Sequence, residues 1–249
     1  MPLKRAGNML KRVLSAAVMV PLVVGLFLAG GYWWTGLLAI IAGLMAYEWF
    51  RIIGNGNPTL WAAVFGLVFG VFLATPLTPL SLVLCAAFPA LLSQRKHPLI
   101  CLMAGPVIAL PLLGIYHIGG AAPLLLLWLV VVVWATDACA MFAGKSIGGP
   151  KLAPTLSPNK TWAGIWGGMA GSLLATGLLL LCAPLPPVVL LWAPVFTLLA
   201  QGGDLLESAL KRKFHVKDSG QIIPGHGGVL DRMDSFLLTA PVLWLMLAL

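Results

Sequence analysis

The sequence predicts an all-α fold: a polytopic integral membrane protein of about nine transmembrane helices. Three observations carry this. The composition is 60% hydrophobic with a mean hydropathy of +1.00, while Asp, Glu, Lys and Arg together make up 9%. Apolar runs close to the ~20 residues that cross a bilayer follow one another along the chain. The 15 Lys and Arg residues sit at the ends of those runs or between them. A soluble core is excluded. The net charge of +8 lines the edges of spans and forms no basic soluble domain, which points to anionic lipid and nucleotide phosphates and away from nucleic acid.

Residues 13–30 follow Lys4, Arg5, Lys11 and Arg12 and read as an uncleaved first span, because no small-x-small cleavage pattern precedes Gly30 and further spans follow at once. Runs at 33–53, 60–75, 77–92, 99–118, 122–143, 162–183, 187–206 and 233–249 complete the set, bounded by Gly, Pro or charge. The third and fourth are short and flank Thr75-Pro-Leu-Thr-Pro79, so they form two spans, a re-entrant pair or one broken element. Trp33, Trp34, Trp49 and Trp61 lie near run ends, where indole rings anchor at the interface. Glu48 and Arg51, three positions apart, read as a local ion pair. Cys85, Cys101, Cys139 and Cys182 lack metal-type spacing and read as small buried hydrophobes.

Basic residues mark alternate connections: the N-terminal tail, then Arg51, then Arg95 and Lys96, then Lys145, Lys151 and Lys160, and finally Lys211, Arg212, Lys213, Lys217 and Arg232. The positive-inside rule puts the N-terminus and every even-numbered connection in the cytoplasm, which leaves the C-terminus outside. The chain reads as a single membrane-embedded domain over 1–249. Residues 1–120 supply N-terminal spans, and residues 121–249 form a catalytic half with cytoplasmic connections at about 144–161 and 207–232.

Ten charged residues crowd into positions 204–234, in a chain with only 15 Lys and Arg and 7 Asp and Glu. Carboxylates interleaved with basic residues and a Gly225-His226-Gly227-Gly228 turn suit Mg²⁺ and phosphate, since carboxylate oxygens ligate hard cations while Lys, Arg and backbone N–H groups hold phosphate. Asp204, Ser208 and Lys211 follow i, i+4, i+7 spacing and share a helical face. Asp204, at the inner end of a span, reads as a metal ligand, with structural pairing as the alternative. Glu207 and Lys211 read as a surface i,i+4 pair. Asp231 and Asp234 open the last run, either as helix caps or as cation ligands beside Arg232, with Asp218 a further candidate. His226 either orients phosphate or bonds a neighbouring carbonyl. In the earlier connection, Ser157 and Lys160 are candidate phosphate contacts and Thr161 an N-cap. Asp137, two turns inside a span, reads as a site residue or as a structurally paired one.

The run from Ser208 through Lys217-Asp218-Ser-Gly220 and Pro224-Gly-His226-Gly-Gly228 to Asp231-Arg232-Met-Asp234 resembles the signature of CDP-diacylglycerol synthases, also called phosphatidate cytidylyltransferases. Gln201-Gly-Gly-Asp204 and Leu156-Ser157-Pro158-Asn159-Lys160-Thr161-Trp162 fit the same pattern, whereas Asp137-Ala-Cys139-Ala-Met141 departs from the family's usual Asp-x-Gly-Ala-Tyr. The resemblance implies conversion of CTP and phosphatidate to CDP-diacylglycerol and pyrophosphate, with Mg²⁺, in a membrane homodimer. It also implies that Asp204 and Asp231 bind the metal. Lys211, Arg212 and Lys217 are then candidates to hold phosphates, with Gly227, Gly228 and Arg232 lining the substrate. Rival readings are another CTP-dependent lipid-phosphate enzyme, a lipid kinase, or a transporter of anionic lipid. Charges confined to one set of connections weigh against alternating access.

Overall fold

A computed structural model describes residues 2–54, 56–75, 97–223 and 227–249. Helices dominate. In order they are α1 (Pro2–Ala29), α2 (Gly31–Ile53), α3 (Pro58–Leu73), α4 (Pro98–Ala121), α5 (Pro123–Ser146), strands β1 (Lys151–Ala153) and β2 (Ser157–Thr161), then α6 (Trp162–Cys182), α7 (Val189–Lys213), α8 (Leu230–Met233) and α9 (Phe236–Ala248). Among the described residues, five helices are long and apolar enough to cross a membrane: α2, α4, α5, α6 and α7. That makes the chain a helical membrane protein. The expected run at 77–92, with Cys85, lies outside the described residues.

The chain divides into two compact units, Met1–Leu112 with Phe214–Met233, and Leu113–Lys213 with Asp234–Leu249. The segment that follows α7, Phe214–Met233, belongs to the first of these units.

In the first unit, Gly54 ends α2 in a left-handed conformation (φ 66°) that costs glycine no steric strain. Asn57 then starts α3 by accepting the Thr59 N–H at 3.0 Å, with Pro58 at the first helical position. α2 and α3 touch backbone to backbone: a Cβ on Gly43 would lie 2.8 Å from the Ala62 carbonyl oxygen, the small-residue contact typical of helices in lipid. Phe50 stacks on Trp61 at 4.6 Å and Trp49 donates to the Ile100 carbonyl at 3.2 Å. Trp49 and Trp61 are thus buried core rings, not interfacial anchors, because α3 and α4 cover them. Trp33 is exposed.

In the second unit, Gly164, Gly167, Gly168 and Gly171 line one face of α6 and let it lie against Thr136, Cys139, Ala140 and Ala143 of α5. Polar side chains fasten the apolar core. Thr197 of α7 donates to Ser172 at 2.8 Å and shares a hydrogen bond with Thr136 at 3.0 Å, while Trp128 donates to Thr176 at 3.0 Å. The connection expected as a polar loop folds into the antiparallel pair β1–β2, registered Lys151 to Thr161 and Ala153 to Ser157. Thr161 caps α6 as expected, accepting the Gly164 N–H at 3.1 Å. Cys182 is exposed, contrary to expectation, because it ends α6.

The last run breaks. Asp234 and Ser235 interrupt the helix between α8 and α9, so Asp231 and Asp234 do not share a continuous first turn.

Candidate functional site

α7 continues unbroken past its apolar part to Lys213, and this carries Asp204, Glu207, Ser208 and Lys211 on successive turns. Gly203 is what brings a third acid in. A Cβ there would overlap the Asp234 carbonyl oxygen, so only glycine lets the turn ahead of α9 settle against α7. Asp204, Glu207 and Asp234 consequently each place a carboxylate oxygen within 4.8 Å of the others.

Two lysines face this acidic group. Lys160, at the end of β2, pairs with Asp204 at 2.7 Å and donates to the Gln201 carbonyl at 3.2 Å. Lys211 pairs with Glu207 at 2.6 Å. Glu207 is 3% exposed, so this is a buried pair and not the expected surface one; α7 turns that face inward. Ser208 makes a long hydrogen bond to Asp204, 3.4 Å. Arg212 is exposed and donates to the Leu156 carbonyl at 3.3 Å, tying the β1–β2 segment to α7. Ser157 begins β2, half-buried.

Like charges this close are unfavourable without compensation. In the turn before α9, burial, then the Asp204 carboxylate and to a lesser degree Asp137, push the Asp234 carboxyl up to about 7, against the Ser235 N–H and Lys211. Asp137, exposed on α5, therefore acts on the group through its charge. A cluster that draws in a proton near neutrality is one that a divalent cation would relieve. The all-oxygen donor set fits Mg²⁺.

Asp231 belongs to the first unit, where it ties Ser219 to Gly228. Its carboxylate accepts the Gly228 N–H at 2.9 Å, a reach back of three residues like that of a capping box, and the Ser219 N–H at 3.1 Å. Gly227 sits at φ 88° and pairs with Ile223, where a side chain would be strained. Lys217, Asp218 and Arg232 are exposed, and His226 lies outside the described residues.

The expected Glu48–Arg51 pair is not made. Arg51 donates to the Ser219 carbonyl at 2.6 Å, and Glu48 accepts from the Ser219 hydroxyl and the Val229 and Leu230 N–H groups. Neither Glu48 nor Glu207 stood out from the sequence as a site residue. For Glu48 the available signal was isolation: it is the sole acidic residue before Asp137, inside an apolar span.

Residues 10–249 match the Cytidylyltransferase family. The chain belongs to this family. It is 37% identical over 263 residues to a phosphatidate cytidylyltransferase of Brucella suis, covering 96% of this chain and 93% of that protein. It is 52% identical over 122 residues to the Bacillus subtilis phosphatidate cytidylyltransferase, covering 48% of this chain and 45% of the relative. The Rickettsia felis enzyme of the same name is 44% identical over 134 residues, 47% of this chain and 57% of that one. The family resemblance read from residues 204–234 is therefore the right one, and the acidic group on α7 lies in a cytidylyltransferase.

Proposed function

We propose that this protein is a phosphatidate cytidylyltransferase, converting CTP and phosphatidate to CDP-diacylglycerol and pyrophosphate. Near full-length similarity to proteins of that name is the observation that carries the reading. It acts in a bacterial inner membrane as a homodimer, with the N-terminus and the polar connections in the cytoplasm, where CTP is found. Phosphatidate keeps its chains among the apolar helices and brings its phosphate to the polar ends.

Asp204, Glu207 and Asp234 would hold Mg²⁺, which supplies neutralising charge to the triphosphate and the departing pyrophosphate. The reaction forms a P–O bond from the phosphatidate oxygen to the α-phosphorus of CTP and breaks the bond to the β-phosphate oxygen. No general base is needed, because the attacking phosphate is anionic at neutral pH. Lys160 and Lys211 already sit on the carboxylates and offer ammonium donors to phosphate oxygens at the same place. Asp231 holds the segment after the glycines by accepting the Gly228 and Ser219 N–H groups.

Labelled CTP tests the reading on purified protein with phosphatidate. Label from the α-position should enter lipid in a Mg²⁺-dependent manner. Transfer of γ-label would mean a kinase, and transfer of neither would remove the enzyme reading.

A further inference from the structure

Glu48, on α2, is completely buried, and the donors to its carboxylate lie far from it in sequence. One oxygen accepts the Val229 N–H at 3.0 Å; the other accepts the Leu230 N–H at 2.8 Å and the Ser219 hydroxyl at 2.9 Å. Gly220 and Gly228 close over it so tightly that a Cβ at either would overlap its oxygens. One turn along α2, Arg51 takes the Ser219 carbonyl. Ser219 passes the constraint on, since its own N–H is one of the two that fix the Asp231 carboxylate.

All three partners of Glu48 are donors, so the position demands an acceptor-only group. Glutamine has the same shape but turns an NH₂ toward N–H groups that have nothing to accept it with. Burying a carboxylate is costly unless such donors meet it, and charge-assisted bonds to backbone amides are the strong kind. A carboxylate here serves the geometry of residues 219–220 and 228–231.

We propose that Glu48 is a positioning residue for cytidylyl transfer: from α2 it clamps both ends of the signature loop, at Ser219 and at Val229–Leu230, and through Ser219 sets the Asp231 carboxylate. The catalytic part of this rests on the cytidylyltransferase reading.

The test compares wild type with Glu48→Gln, Ser219→Ala and the double variant, in detergent at matched expression, by hydrogen exchange and by kinetics. In Glu48→Gln, exchange should rise at least tenfold across 219–231 while α5 and α7 stay as in wild type, and kcat should fall at least tenfold. Ser219→Ala should lower kcat severalfold, and the double variant should be no worse than Glu48→Gln, because the two act in series. Faster exchange with kcat unchanged, or losses that multiply in the double variant, would overturn the positioning role. So would wild-type protection in Glu48→Gln. Should that variant not accumulate, Ser219→Ala alone decides by the same two readouts. Absence of label transfer in wild type would sink the cytidylyltransferase reading, and with it the catalytic part, while exchange still decides whether Glu48 clamps the loop.

Discussion

Glu48 and Glu207 are both carboxylates withdrawn from water, and the two units settle them in opposite ways. Glu48 is met by amides and a hydroxyl, with glycines pressed against it. Asp204, Glu207 and Asp234 are met chiefly by each other and by two lysines. A carboxylate saturated by backbone donors fixes the backbone and asks for nothing more. Carboxylates that crowd one another leave a demand for positive charge, and this is the condition of an ion or phosphate site. Burial alone would not have told the two apart.

The sharpest way to break that contrast is Asp204→Asn. It removes a proposed cation ligand and the partner of Lys160 together, and turnover measured as α-label entering lipid should fall at least 100-fold, about 2.7 kcal/mol of transition-state stabilisation. The protein should still accumulate in the membrane. Activity within threefold of wild type, still Mg²⁺-dependent, would remove Asp204 from the site.

Asp234 offers a test by pH. Its folded carboxyl lies at about 7, above the usual 3.8, so the folded state holds this proton more tightly than the unfolded state does. That contribution to stability is complete below about pH 4 and is lost as pH rises through 7. Without divalent cations the melting temperature should therefore drop by a few °C, on the order of 1–2 kcal/mol, between pH 5 and pH 8. Mg²⁺ should restore it at pH 8 more than at pH 5, and Asp234→Asn should flatten both responses. An equal response in wild type and variant would place the cation elsewhere.

These contrasts also mark how far the sequence could be read. The helices of α2, α5, α6 and α7 follow from apolar length, and the shared face of Asp204, Ser208 and Lys211 follows from the 3.6-residue period, because both are local properties. The β1–β2 pair was missed because strands of three and five residues, with Pro158 in one, have no periodicity to read. The burial of Glu207 was missed because i,i+4 spacing says that two residues meet and not which way the face points. Glu48 was misassigned to Arg51 because its true partners lie 171 to 182 positions away, and a local rule always finds the nearer answer.

The smallest expected effect sharpens the contrast most finely, since it separates two lysines of one basic run. Lys211 is turned inward onto Glu207, with its side chain 12% exposed, whereas Lys213 is about 200° further round α7 and exposed. Lys211→Ala should lower kcat/KM more than tenfold, about 1.4 kcal/mol or more, because it withdraws a proposed phosphate donor and leaves Glu207 buried among acids. Lys213→Ala should cost less than twofold at matched expression. Its side chain is exposed, and the contacts of exposed charges contribute little individually. Equal mild losses in the two variants would assign the whole run to the membrane surface. A larger loss at Lys213 would mean that the inward face of α7 is not the working one.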